Sequence, residues 1–60
     1  MAVIMPYKGE WLIAHPKETG GWFTRRFPTN DQAVDYAVDR WGSVVPATYD
    51  QIRFIRRTYG

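Results

Sequence analysis

Few side chains in this 60-residue chain could carry out chemistry, and their spacing argues against most of it. The single histidine, His15, stands just before Pro16, with no second histidine and no cysteine anywhere in the chain. Neither a metal site nor a nucleophile and base pair can be assembled around it. Asp31, Asp35 and Asp39 recur at four-residue steps, which on a helix makes one acidic stripe, the pattern of a solvated face rather than of two carboxylates in a cleft. Gly20-Gly21 falls where a loop is expected and not at the start of a helix, so it lacks the setting of a phosphate cradle. The residues assign no catalytic group, metal or cofactor, and a non-enzymatic protein is expected.

What remains is aromatic and basic. Three Trp, four Tyr and three Phe are a heavy load for so short a chain, since each ring can bury roughly 150–250 Å². The formal net charge of +2 hides a segregation: residues 31–39 hold three aspartates and no cation, while Arg25, Arg26, Arg53, Arg56 and Arg57 lie elsewhere. Such a layout favours an anionic partner on one surface and repels it on another. Nucleic acid fits, because arginines neutralise phosphates and read guanine edges while rings stack on unpaired bases. A protein partner fits as well, since Trp, Tyr and Arg dominate protein hot spots, and a homodimer would bury the same rings.

The elements that must position these residues are legible in outline. Ala2–Met5 is an apolar run long enough for a strand, and Pro6-Tyr7-Lys8-Gly9 reads as the turn that ends it. Glu10–His15 is rich in strand formers but too continuous for clean alternation, Pro16–Gly21 is a strong loop signal, and Trp22–Phe27 reads as a returning strand. Residues 1–28 therefore suggest an antiparallel meander of two or three strands. A helix is expected from about Asn30 to Trp41, capped by Thr29 in a capping box with Gln32 and stopped at Gly42. Ala33, Val34, Ala37, Val38 and Trp41 make its apolar side, with Tyr36 and Arg40 between that side and the acids. Residues 43–47 read as a connection. Thr48–Tyr59 can be written as a second helix, with Thr48 and Gln51 as a capping box, Ile52, Ile55 and Tyr59 on one face and Gly60 as a stop, or as a final strand in which Ile52 and Phe54 alternate with Arg53 and Ile55.

Period-two geometry separates Trp22, Thr24 and Arg26 from Phe23, Arg25 and Phe27. Phe27 directly precedes the cap, so Phe23 and Phe27 are expected to face the helix, with Arg25 snorkelling at the edge. That leaves Trp22, Thr24 and Arg26, joined by Trp11 and Ile13 if Leu12 faces inward, on an open sheet face available for docking.

The order of three strands and a helix, with Trp11 opening one strand and Phe27-x-Thr29-x-x-x-Ala33-x-x-x-Ala37 at the final junction, resembles the DNA-binding domains of ethylene-response-factor type plant proteins. It is similar also to the arm-type DNA-binding domains of phage and transposon integrases. The resemblance covers roughly residues 9–41 and implies a sheet that enters the major groove with the helix behind it. It would make Trp11, Trp22, Thr24 and Arg26 contacts, with Phe27, Ala33 and Ala37 holding the helix and the acid stripe pointing away from DNA. The run from Tyr49 to Gly60 looks like the opening helix of some helix-turn-helix modules.

A chain of this length buries only about 60% of the surface its unfolded form exposes, and without cysteines it has no disulfide or zinc staple. No apolar run reaches the ~20 residues of a membrane span, and Met1–Met5 is too short for a signal-peptide core. A cytoplasmic protein without a membrane partner is expected. The expected fold is one small α+β domain: a two- to three-stranded antiparallel meander on one amphipathic helix (residues 29–42), then a connection and a short C-terminal helix, or alternatively a strand (residues 43–60). The expected function is a DNA-binding module presenting Trp11, Trp22, Thr24 and Arg26 from the sheet, with Arg53, Arg56 and Arg57 on phosphates. The alternative is a small adaptor or inhibitor, of the kind short phage genes encode, that binds a host protein through the same face.

Overall fold

The computed structural model describes residues 1–59. Strands β1 (Ala2–Tyr7) and β2 (Glu10–Pro16) pair antiparallel, Tyr7 opposite Glu10, across the two-residue loop Lys8-Gly9. Both loop residues have positive φ, 49° and 80°, the signature of the type I′ turn whose twist matches that of the strands. The turn therefore lies one residue later than Pro6-Tyr7-Lys8-Gly9, centred on Lys8-Gly9, and Pro6 lies inside β1. A proline is tolerated there because the residues flanking a two-residue loop share a bonded pair, so the nitrogen of Pro6 points away from β2.

β3 (Trp22–Phe27) returns antiparallel to β2, with Trp11 opposite Phe27 and His15 opposite Phe23. The connecting loop closes through Gly20 N–H donating to the Lys17 carbonyl and Lys17 N–H donating to that of Gly21, each at 3.1 Å, with Gly20 at φ 98°. This is the three-residue hairpin with a left-handed third residue. Helix α1 (Asn30–Trp41) follows: Thr29 Oγ1 accepts from Gln32 N–H at 3.2 Å, and Gly42, at φ 82°, donates to the Val38 carbonyl at 2.8 Å.

After α1 the chain departs from expectation. Val44–Pro46, read as a connection, is a short strand, β4, running parallel to β1 with Ala2 opposite Val44 and Ile4 opposite Pro46. Ala47 N–H then donates to the Ile4 carbonyl at 3.0 Å. The amide positions that face β1 thus alternate around Pro46, which falls on the outer edge where no donor is required. The sheet has four strands in the order β3-β2-β1-β4 and is mixed rather than a pure meander. Residues 49–59 are helical, forming α2 (Tyr49–Tyr59), not a strand. Its cap is a complete capping box: Gln51 N–H donates to Thr48 Oγ1 at 3.2 Å, and Thr48 N–H donates to Gln51 Oε1 at 2.9 Å. Gly60, the expected stop, lies outside the described residues.

The helices cover opposite faces of the sheet. On one, Ala2, Ile13, Ala33 and Ala37 are fully buried, with Ile4, Trp11, Phe27, Trp41 and Val44 packed against them. On the other, Val3, Met5, Tyr7, Leu12, Ala14 and Ile55 form a second core, flanked by Trp22, Ala47 and Ile52. α1 meets the strands through alanines and α2 through isoleucines and Tyr59, whose ring meets that of Tyr7 edge-on at 5.2 Å. The largest fully buried side chains, Met5, Leu12, Ile13 and Ile55, divide between the two cores. The continuous apolar runs of β1 and β2 follow from this, because a strand covered on both faces has no polar side to alternate with.

Candidate functional site

The registers fix which strand residues share a face. Leu12 and Ala14 stand opposite Arg26 and Thr24, so Trp22, Thr24 and Arg26 belong to the α2 side. Trp11 and Ile13 stand opposite Phe27 and Arg25 and belong to the α1 side. The expected grouping of Trp11 and Ile13 with Trp22, Thr24 and Arg26 is therefore wrong by one residue of β2. Leu12, not Trp11, accompanies them. Nor is that face open: α2 lies over it, Trp22 packs against the second core, and Trp11 is half-buried beneath α1.

Four of the expected contact residues remain accessible on the α2 side. Arg53, Arg56 and Arg57 are exposed along the outer surface of α2, beside Tyr49 and Phe54, which are 73% and 56% exposed. A helical turn separates Arg53 from Arg57 and Asp50 from Phe54, and these four residues line one shallow depression. The Arg53 guanidinium lies 5.7 Å from the Tyr49 ring centroid, a cation–π spacing. Arg26 is the fourth. Its Nε donates to Glu10 Oε1 at 2.9 Å and its guanidinium lies 5.7 Å from the ring centroid of Tyr7, so it leans inward across β2. The pair is solvent-accessible on both sides, where such a bridge contributes at most about 1 kcal/mol, and an incoming anion can compete for the guanidinium.

Between β3 and α2 runs a cleft of about 240 Å³ lined by Trp22, Thr24, Ile55, Thr58 and Tyr59. Beside it, Trp22, Asp50, Gln51 and Phe54 line an open trough. Trp22 is thus the boundary of both depressions, held by the core on one side and open on the other.

The α1 side carries a feature the sequence reading did not assemble. Tyr36 reaches down to β3, its ring 5.1 Å from Phe27 and 6.4 Å from Phe23, and Trp41 closes the group at 5.6 Å from Phe23. Arg25 lies over Phe27 and Tyr36, and Arg40 lies over Phe23, Tyr36 and Trp41. His15 stacks on Trp41 at 4.5 Å and donates from Nδ1 to the Pro16 carbonyl at 2.8 Å. The contact side of α1 is therefore turned toward Tyr36 and Arg40, and Val38, expected in the core, is 45% exposed. The signal was present in the alternation of β3, since Phe23, Arg25 and Phe27 needed a covering partner long enough to span the sheet edge. Asp31, Asp35 and Asp39 are all exposed on α1. No group of three or more His, Cys, Asp or Glu that could hold a metal ion occurs among the described residues, and no helix among them is long and apolar enough to cross a membrane.

No family model matches the chain, nor does any curated protein or solved structure.

Proposed function

We propose that this chain is a non-enzymatic nucleic-acid-binding module, with duplex DNA as its ligand, that contacts phosphates through the outer surface of α2 rather than through a bare sheet face. The contact set is Arg53, Arg56 and Arg57, with Arg26 at the rim and Tyr49 and Phe54 as exposed rings that can rest on sugars. Trp22 and Thr24 border this surface from β3. Trp11 is left out, because it packs under α1.

The observation that supports this is the placement of charge across the layers. α1 carries Asp31, Asp35, Asp39 and one arginine, and α2 carries Asp50 and three arginines. The sheet separates them. A polyanion approaching from the α2 side meets cations and is shielded from the aspartates by the thickness of the domain, so the field orients the protein before contact.

A labelled duplex titrated by fluorescence anisotropy at several salt concentrations tests the proposal. Each phosphate neutralised releases counterions and contributes about −0.9 to the slope of log K against log salt. Three to four arginine contacts on the order of those above give a slope near −3. Weak binding at low salt with that slope is the expected result, and no binding at low salt would sink the proposal. The trough between Trp22 and Phe54 favours a second reading, an adaptor or inhibitor that receives an apolar side chain of a host protein there. A stoichiometric protein complex that survives high salt and is lost on Phe54→Ala is the result that reading requires.

A further inference from the structure

β3 ends the sheet, and its outer side meets no other strand among the described residues. The alternation of bonding positions tells which groups it presents there. Lys17 N–H donates to Gly21 O, so odd-numbered residues of β2 and β3 face each other, and the main-chain N–H and C=O of Trp22, Thr24 and Arg26 point outward. A strand with such a row of unmatched groups is a template for another strand unless it is guarded, and the usual guards are prolines, bulges and outward charges. β3 has no proline. Its two arginines are turned away: Arg26 leans inward to Glu10 and Tyr7, and Arg25 lies over Phe27 and Tyr36.

The geometry points to a second copy of this chain as the occupant of that edge, paired antiparallel through β3 with Thr24 opposite Thr24 on the two-fold axis. In this register every outward amide and carbonyl of the strand finds a partner. It also sets unlike side chains against one another. Arg26 stands opposite the second copy's Trp22, and Arg25 opposite the second copy's Phe23, so the position across from each arginine is aromatic and never another arginine. Slipping the pairing by two residues in one direction puts Arg25 directly against its own counterpart. Slipping it in the other direction leaves Arg25 and Arg26 opposite the glycines of the β2–β3 loop. The side-chain complementarity therefore selects one register, which is what an isologous interface requires.

An antiparallel pair across the edge keeps the faces of the two sheets continuous. Both α2 helices then lie on one side of an extended sheet and both α1 helices on the other. The clefts bordered by Trp22 and Thr24 meet at the axis, and the α2 arginines of the two copies share one surface. This assignment stands on the strand edge alone and does not depend on the nucleic-acid reading.

Sedimentation equilibrium of the full chain over a wide concentration range is the test. A monomer–dimer equilibrium is expected, and a chain that stays monomeric at its highest soluble concentration overturns the assignment. Thr24→Pro removes an outward N–H without touching the bond ladder to β2 and is expected to abolish the dimer while far-UV circular dichroism is retained. A folded Thr24→Pro variant that still dimerises overturns it too. Should that variant fail to fold, cysteines decide in its place, since the chain has none of its own. Thr24→Cys is expected to cross-link to itself with a short bis-maleimide far more than Val45→Cys on the opposite edge. Equal yields, or a complex whose second component is a different protein, contradict the pairing of two copies.

Discussion

At the scale of single residues the structure assigns different costs to positions that look equivalent in the sequence. Thr29 and Thr48 are both helix caps followed by glutamine three residues on, yet the return bond from glutamine to the cap N–H is seen at Thr48 and not at Thr29. Gln51→Ala should therefore destabilise more than Gln32→Ala, by about 1 kcal/mol for the lost return bond, read from urea midpoints. Gly42 closes α1 at φ 82° with nothing within 4 Å of an added Cβ, so the penalty of Gly42→Ala is purely one of backbone conformation. It is expected at about 1–2 kcal/mol, with the near-native fold kept. Ile55 is the one α2 side chain that is fully buried. Ile55→Ala should cost about 2–5 kcal/mol, a large share of what a domain this small holds in reserve, and calorimetry should find the variant largely unfolded at room temperature.

Elements formed by local rules were legible: the loop between β2 and β3, the bounds of α1 with its Thr29 cap and Gly42 stop, and the second capping box at Thr48; the first hairpin turn falls one residue later than Pro6-Tyr7-Lys8-Gly9 suggests, because Pro6 still pairs within β1. Those that depend on distant partners were not. β4 is three residues long and exists only because β1 lies beside it, and nothing local to Val44-Val45-Pro46 announces a parallel pairing made with the opposite end of the chain. The face of β2 was misread for a related reason. Trp11, Leu12, Ile13 and Ala14 are all apolar because both sides of that strand are covered, so alternation could not say which residue met which helix, and the continuity of the run was itself the sign of a second covering layer. α2 supplies that layer, and its exposed side is where the arginines of the C-terminal segment end up. Replacing Arg57 by Gln should lower the salt slope of DNA binding by about one while leaving the urea midpoint near that of the parent, because the side chain is exposed. An equal substitution at Arg40, which lies over Phe23, Tyr36 and Trp41, should leave the slope unchanged.

For the molecule as a whole the governing arrangement is two thin cores on either side of one sheet, with three aspartates on the helix outside one and three arginines on the helix outside the other. The longest dimension is 27 Å, which spans about eight base pairs at 3.4 Å each, so a duplex of twelve to sixteen pairs, on the order of one to two such spans, is a sufficient probe. In the proposed complex the α2 surface, and not the α1 surface, meets the phosphates. Amide chemical shifts followed while such a duplex is added at low salt test it most directly. Phosphate contact through α2 requires the shifts to cluster at Tyr49, Arg53, Phe54, Arg56 and Arg57, with Arg26 at the margin and Asp31, Asp35 and Asp39 silent. Perturbations centred on α1, or none on either helix at saturating duplex, would contradict it.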